Sequence, residues 1–304
     1  MRNLISVLCL LVAGLLSVSA LAGHQVDQLL REEEPIQQIA GDLTEDPAFS
    51  DAVTDMVVDE AVSALPEGIQ QFVPGGAAGL VRPLISSALD NERTTQAWDE
   101  VLQTTRSDYT EQLEQIFEEG TSGDTGELDL PVDFTPVTDA MTEPLREGLE
   151  GALGMVPGVD AQTVEIPTPT VEIDIEAATD ESADPYTWAT AATLSQYWAG
   201  FGIGAAALAG LGGLLGLGRI RWAGMALGAA VAALLGLWIA TTAASPQFQH
   251  PAALPEAGAV MLDHVQSRFT DWAQPGWWVF TGTAGFIAVV AVLAAVVTPA
   301  RREH

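Results

Sequence analysis

Four long apolar segments constrain this 304-residue chain more than any other feature of its sequence. They lie at about residues 4–23, 197–218, 222–243 and 277–298, and each is close to the ~20 residues with which a helix crosses the hydrocarbon core of a bilayer. Helices are the expected form, because lipid offers backbone N–H and C=O groups no hydrogen-bond partners. The sequence therefore predicts an integral membrane protein with four transmembrane helices.

The placement of arginine gives these helices a direction. If the N-terminus is cytoplasmic, all the short loops and ends on that side are rich in arginine, as the positive-inside rule requires; the residues are Arg2, Arg219, Arg221, Arg301 and Arg302. We expect a multi-pass protein of the plasma membrane with both termini in the cytoplasm. Its predicted parts are an anchor (1–23), an extracytoplasmic domain (24–193), a transmembrane hairpin (194–243), an outer loop (244–275), and a transmembrane helix with a short basic tail (276–304).

The long outer segment is strongly acidic. Residues 23–193 hold 37 of the 41 carboxylates of the chain against five arginines, a net charge of −32, and the chain has no lysine. Phosphate groups would be repelled, so we expect no nucleic-acid partner and no flat contact with anionic lipid headgroups. The same charge density favours weak and diffuse binding of divalent cations.

The first apolar segment has two interpretations. Arg2, the apolar run and then Ala20-Leu21-Ala22 are also typical of a secretory signal peptide with its cleavage site. The run exceeds the ~7–15 residues of a signal-peptide core, which favours a retained transmembrane anchor. Either form exports the residues that follow.

Small residues recur in the second and third apolar segments. Three glycine pairs have GxxxG spacing, which lets helix backbones approach closely: Gly200 with Gly204, Gly212 with Gly216, and Gly224 with Gly228. Such faces serve either a dimer or the packing of neighbouring spans within one chain, and we favour the second. No ionisable residue lies inside the segments, which argues against an ion-coupled carrier.

The acidic segment shows helical periodicity over most of its length. Asp46-Pro47 is a typical helix start, an N-cap residue followed by proline in the first turn. Apolar residues at helical spacing continue from there to about Leu65. Further helices are predicted around residues 80–88, over 93–119 with Trp98 on the buried side, and from residue 135 onward.

Alternation of apolar and polar residues predicts short strands near residues 128–134, 164–166 and 171–175. Glu172 and Asp174 on the last of these either protect a sheet edge from unwanted pairing or mark a partner-binding edge. The predicted fold class is mainly α, with four transmembrane helices plus an extracytoplasmic helical domain that contains a small two-stranded β-element.

The outer loop carries an apolar stripe of its own. Met261, Val265, Phe269 and Trp272 recur at helical spacing. They predict a short amphipathic helix that lies on the membrane interface or on the acidic domain. His264 is expected on the polar face of this helix.

Several stretches together suggest a family. They are DQLLREEEPIQQIAGDLTEDPAFSDAVTDMVVDEAV (27–62), the helix around Trp98, GELDLPVDFTPVTDAM (126–141) and EAGAVMLDHVQSRF (256–269). In these the chain resembles an uncharacterised actinobacterial family of four-span integral membrane proteins with a helical extracytoplasmic domain. Relatives often carry Trp, then Asn-Arg, then His along the long helix, whereas this chain has Trp98, Leu102-Gln103 and Arg106. The resemblance implies an architecture and no established activity.

The sequence predicts no catalytic, cofactor-binding or metal-binding residues. Acidic clusters at 32–34, 59–60 and 118–119 are typical of a solvated face. The nearest approach to a calcium loop lacks the required spacing of oxygen ligands; it comprises Asp124, Asp129 and Asp133. The four histidines are scattered and support neither a zinc site nor a catalytic triad; they are His24, His250, His264 and His304.

Three functions fit this pattern. The first is a structural or partner-binding component of the cell envelope, membrane-anchored and without a catalytic site; its partners are the lipid bilayer and a membrane or envelope protein. The second is an accessory subunit of a membrane transport or enzyme complex. The third is an extracytoplasmic hydrolase of envelope polymers, although no catalytic motif favours an enzyme.

Overall fold

The structure is a computed structural model of the whole chain. It describes residues 2–64, 87–88, 91–120, 129–133, 135–137, 139–140, 170–174, 184–247 and 256–298. In chain order its helices and strands are α1 (Arg2–Arg31), α2 (Glu33–Ala40), the 3-10 turn η1 (Gly41–Glu45), α3 (Pro47–Ala64), α4 (Glu92–Glu119), β1 (Asp129–Asp133), β2 (Thr170–Asp174), α5 (Pro185–Ser195), α6 (Trp198–Leu215), α7 (Gly218–Thr241) and α8 (Glu256–Val297). The described chain is mainly helical, as predicted.

Four helices, α1, α6, α7 and α8, are long and apolar enough to cross a membrane. This confirms the four apolar spans by length and composition. Two of the helices are much longer than the spans that the sequence predicts within them. α1 has 30 residues and α8 has 42, so both extend well past the ~20 residues that a bilayer core requires.

The first helix lies in the middle of the bundle. α1 packs against α6 on one side and α7 on the other, α8 packs against α7, and α6 and α7 make little contact with each other. The order across the bundle is α6, α1, α7, α8. The sequence predicts α6 and α7 as a hairpin; they are consecutive, but α1 separates most of their length.

Two glycines of α7, one of α6 and the glycine that follows α6 allow this close packing. A Cβ atom at Gly212 would lie 2.6 Å from Leu10 Cγ, and one at Gly224 would lie 3.0 Å from Leu10 Cδ1. At Gly228 it would collide with the carbonyl group of Leu10, and at Gly216 it would lie 2.5 Å from Ser6 Oγ. The Gly212–Gly216 and Gly224–Gly228 pairs therefore serve packing within the chain.

The third glycine pair is different. A Cβ atom at Gly200 would meet nothing within 4 Å, and one at Gly204 would be in ordinary contact with Leu16, at 3.5 Å. Nothing in the packing of α6 on α1 requires glycine at these two positions.

The connection between α6 and α7 is tighter than the sequence predicts. Arg219, Ile220 and Arg221 are expected to form the loop, but they lie in the first turn of α7. Gly216 and Leu217 make the turn instead, and Gly218 adopts a φ of 50°, a left-handed conformation that costs glycine little. Ser6 Oγ–H donates to Gly212 O at 2.6 Å, so the start of α1 lies beside this turn. We call this side of the bundle the basic end.

A single helix replaces the short loop helix and separate fourth span that the sequence predicts. α8 continues through Pro275, which removes one backbone N–H and crowds the preceding turn. Side-chain hydrogen bonds between helices flank the proline. Gln25 Nε2–H of α1 donates to Ala273 O at 2.9 Å, Trp277 Nε1–H donates to Gln25 Oε1 at 2.6 Å, and Gln274 Nε2–H donates to Ala240 O of α7 at 3.1 Å.

The acidic domain is built from α2, η1, α3, α4 and α5. The predicted start of α3 is confirmed: Pro47 begins the helix and Asp46 Oδ1 accepts from Ala48 N–H at 2.9 Å. α4 matches its predicted range within one residue, and Asn91 caps it by accepting from Arg93 N–H. Only Ser87 and Ala88 represent the helix expected around 80–88, and only residues 135–137 and 139–140 represent the one expected from residue 135; the rest of both lies outside the described residues.

Strands β1 and β2 pair antiparallel, with Asp129 opposite Asp174 and Val132 opposite Val171. The predicted strand residues at 164–166, and the loop that contains Asp124, lie outside the described part of the chain.

Candidate functional site

The acidic domain meets the N-terminal half of α8 in an apolar contact. Leu43 of η1 and Trp98 and Val101 of α4 are buried there, and Met261 and Val265 of α8 pack against them. Trp98 Nε1–H donates to Ala40 O at 2.7 Å, which satisfies a buried carbonyl at the end of α2. We call this region the junction. Part of the stripe predicted on the outer loop therefore lies on the acidic domain.

His264 occupies the polar side of the junction. Its Nδ1 lies 2.9 Å from Asp46 Oδ2 and its Nε2 lies 3.0 Å from Asp42 Oδ1. The side chain is only 9% exposed. Arg268, one helical turn further along α8, donates to the other oxygen of Asp42. One turn of α8 thus presents two basic groups to two carboxylates of the acidic domain.

Asp46 has two roles in this arrangement. Its Oδ1 caps α3 and its Oδ2 accepts from His264. The hydrogen bond from His264 is the main cause of a lowered pKa at Asp46, and the Ala48 N–H adds to it. The carboxylate form is therefore favoured by the same contact that joins α3 to α8.

A second set of polar contacts joins the end of α1 to α4 and α5. Arg106 Nη1–H donates to Leu30 O at 2.9 Å, and Thr110 Oγ1–H donates to the same oxygen at 3.1 Å. Arg31 pairs with Asp27 at 2.7 Å and donates to Ser195 Oγ and to Ala192 O of α5. These bonds satisfy carbonyls at two helix ends, where the helix itself leaves them unpaired.

A shallow apolar groove of about 560 Å³ runs along the seam between α1 and α6. Ala20, Gly202 and Ala206 line it, and His24 lies at its end with its ring 4.4 Å from that of Trp198. The Nδ1 atom of His24 is buried and has no hydrogen-bond partner within the described chain. Because that atom is enclosed by protein, it offers nothing to a molecule in the groove.

The acidic clusters and histidines that were candidates for a metal or catalytic site do not come together in the described part of the chain. Glu32, Glu33 and Glu34 are exposed, as are Glu118 and Glu119, which matches a solvated face. Asp133 is exposed, and its pKa is lowered by hydrogen bonds from Thr135. His250, His304 and Asp124 lie outside the described residues, as do the side chains of Asp59, Glu60 and Asp129. In the part of the chain that is described, no three His, Cys, Asp or Glu side chains are arranged to hold a metal ion.

Sequence reasoning missed the partners of His264. The prediction places it on a polar face of a loop helix, but the acidic domain covers that face and leaves the side chain largely buried. A signal is present in the sequence. His264 and Arg268 are four residues apart in the predicted loop helix, and residues four apart in a helix share one face.

Searches of protein-family models, of curated proteins and of solved structures found no match to this chain.

Proposed function

We propose that this chain is a multi-pass protein of the cell envelope that holds its acidic domain outside the membrane and works through a protein partner, without catalysis. The observation that carries the proposal is the continuity of α1 and α8, each of which runs unbroken from the apolar bundle to the acidic domain. A domain joined to the bundle by two continuous helices is coupled to it, so an event at one is felt at the other. The resemblance to the actinobacterial family is part of this proposal.

The proposed orientation is supported by the charges at the two ends of the bundle. Arg2, Arg219 and Arg221 lie at the basic end, and the acidic domain lies at the other. The positive-inside rule then assigns the basic end to the cytoplasm.

Labelling with a membrane-impermeant maleimide tests this orientation in intact cells. In a Cys9→Ser background, we expect Ser107→Cys on α4 to be labelled and Ile220→Cys at the basic end to be labelled only after permeabilisation. Both positions are exposed, so access to the reagent decides the result. The opposite pattern would reverse the orientation.

The chemistry of the polar contacts supports a role without catalysis. Arg106, Trp98 and Gln25 each use a side-chain N–H to satisfy a carbonyl oxygen on a neighbouring helix. Buried polar groups of this kind are expected to hold helices together, because leaving such a carbonyl unpaired is costly. A catalytic group would need a reactive atom open to a substrate.

Crosslinking in the native cell, followed by mild-detergent extraction and mass spectrometry, tests the proposal directly. We expect one reproducible membrane or envelope protein to be captured. A matched variant changes the exposed α4 residues Asp108, Glu111 and Glu118 to amides. It should retain the fold and lose the partner if the acidic face is the contact. A chain that purifies alone and monomeric would overturn the proposal.

An accessory subunit of a membrane complex is the second candidate. Gly200, Gly210 and Gly213 of α6 leave open space where a Cβ would be, so this face of α6 is free of the packing on α1. Gly213→Leu should leave the fold intact and release a neighbouring span, whereas Gly212→Leu, which faces Leu10, should disrupt the fold itself. Capture of the same partner by the Gly213 variant removes the basis for this candidate.

A further inference from the structure

His264 stands out because both nitrogens of one imidazole face carboxylates. A neutral imidazole has one N–H and one lone pair, so it can donate to only one of them. The other nitrogen would then place its lone pair about 3 Å from a carboxylate oxygen, which is repulsive. Hydrogen bonds from both nitrogens, to Asp46 at 2.9 Å and to Asp42 at 3.0 Å, can be donated together only by the doubly protonated ring.

We propose that His264 is a proton-dependent latch that closes the acidic domain onto α8 when the imidazole is charged and loosens it when the proton leaves. Arg268 keeps Asp42 paired in both states, since a guanidinium does not lose its proton. When the proton leaves, the ring has one N–H for two carboxylates and no charge, so its contact with Asp46 at the start of α3 weakens. The apolar contacts of Met261 and Val265 persist in the loosened state, so the domain shifts without separating.

Two carboxylates contact the ring of His264, and a third charged group pairs with one of them. Asp42 comes from η1, Asp46 precedes α3, and Arg268 lies on α8 itself. Other charged groups on the elements that form the junction include Glu33 and Glu34 of α2, Glu45 of η1, Asp51 and Asp55 of α3, Glu92, Arg93 and Glu100 of α4, and Asp263 and Asp271 of α8, which are exposed, and Asp99 and Arg106 of α4, which are half-buried.

The latch should respond to pH in one direction. Histidine is the side chain whose charge ordinarily changes between roughly pH 5 and 8. Within that range we expect the closed form to dominate at the acid side. The closed form also requires ionised Asp46, whose pKa is lowered by His264, so only stronger acid opens the latch from below. Loss of one charge-assisted hydrogen bond should change the ratio of closed to open forms by roughly 10- to 100-fold.

Dipolar EPR on the full chain in lipid nanodiscs tests the latch. Spin labels at Ala48→Cys and Ser267→Cys, both exposed positions on α3 and α8, report the distance across the junction in a Cys9→Ser background. We expect one narrow short-distance population at pH 5.5 and a growing long-distance population toward pH 8.5. A second pair, Ser107→Cys with Thr187→Cys on α4 and α5, should not change.

Two variants separate protonation from other effects. His264→Gln should show the long-distance population at every pH, and His264→Arg, which stays charged, should remain closed at pH 8.5. The latch is refuted if the wild-type distance does not respond to pH, if the Gln variant responds as the wild type does, or if the control pair changes in parallel. If the Gln variant does not fold, the wild-type series and the Arg variant still decide the matter. The measurement needs no partner, so its outcome is independent of the proposed function.

Discussion

The bundle and the junction are held together by different physics. Between α1 and α7 the backbones approach each other directly at Gly14 and Gly228, and Gly224 leaves room for the side chains of Leu10 and Val7. At the junction, by contrast, large side chains fill the contact, and donors such as Trp98 and His264 reach specific acceptors. One region depends on the absence of side-chain volume and the other on the position of side-chain atoms.

The difference follows from the two solvents. In lipid, burying an apolar side chain gains little, because the acyl chains are equally apolar, so close van der Waals packing drives helix association. In water, burial of Leu43, Val101 and Met261 is itself favourable, at ~25 cal/mol per Å². The polar partners then select one arrangement, since an unpaired buried carbonyl is costly.

The largest expected effect is at Trp98. Trp98→Ala should lower the free energy of unfolding of the acidic domain by ~3–5 kcal/mol through lost burial. Trp98→Phe keeps much of the ring but leaves Ala40 O without its donor, and should cost ~1–3 kcal/mol. Chemical denaturation of the full chain in detergent, followed by far-UV circular dichroism, measures both. Equal losses in the two variants would show that the hydrogen bond is the whole contribution of Trp98.

The bundle should respond to volume rather than polarity. Gly228→Ala places a Cβ against the Leu10 carbonyl and should cost ~1–3 kcal/mol as the backbones separate. Gly213→Ala on α6 should be nearly neutral, because a Cβ at that position would meet nothing within 4 Å. Unfolding in SDS measures both variants. A neutral Gly228→Ala would contradict the close approach of α1 and α7.

The smallest effect concerns the charge on Asp46. Its pKa is lowered in the folded state, so it contributes stability that is present above the ordinary carboxyl pKa and is lost as pH falls through the lowered value. Asp46→Asn keeps the cap, because Asn caps as well as Asp, whereas Asp46→Ala also loses ~1 kcal/mol of capping. We expect the Asn variant to flatten the loss of stability in acid. An unchanged acid profile would mean that His264 does not stabilise the carboxylate.

Predictability from sequence also differs between the two regions. The spans, the start of α3 at Asp46-Pro47 and the extent of α4 follow from local patterns, because each is decided by the residues of one segment. The sequence does not predict that α8 continues through Pro275, because a proline between two helical patterns ordinarily separates two helices. Gln25 hydrogen-bonds to Ala273 and Trp277 on either side of that proline, and it lies 248 positions before Ala273 in the chain.

Sequence alone determined that four helices are apolar enough to cross a membrane, that the large acidic charge is confined to one segment, and where α3, α4 and α6 begin. These are properties of consecutive residues: hydropathy, charge and capping. Only the tertiary structure decided that α1 lies between α6 and α7, and that His264 meets Asp42 and Asp46. Those outcomes depend on which helix faces pack. The residues next to a glycine or a histidine in the sequence do not determine which distant residue it will contact, and Asp46 and Asp42 lie 218 and 222 positions from His264.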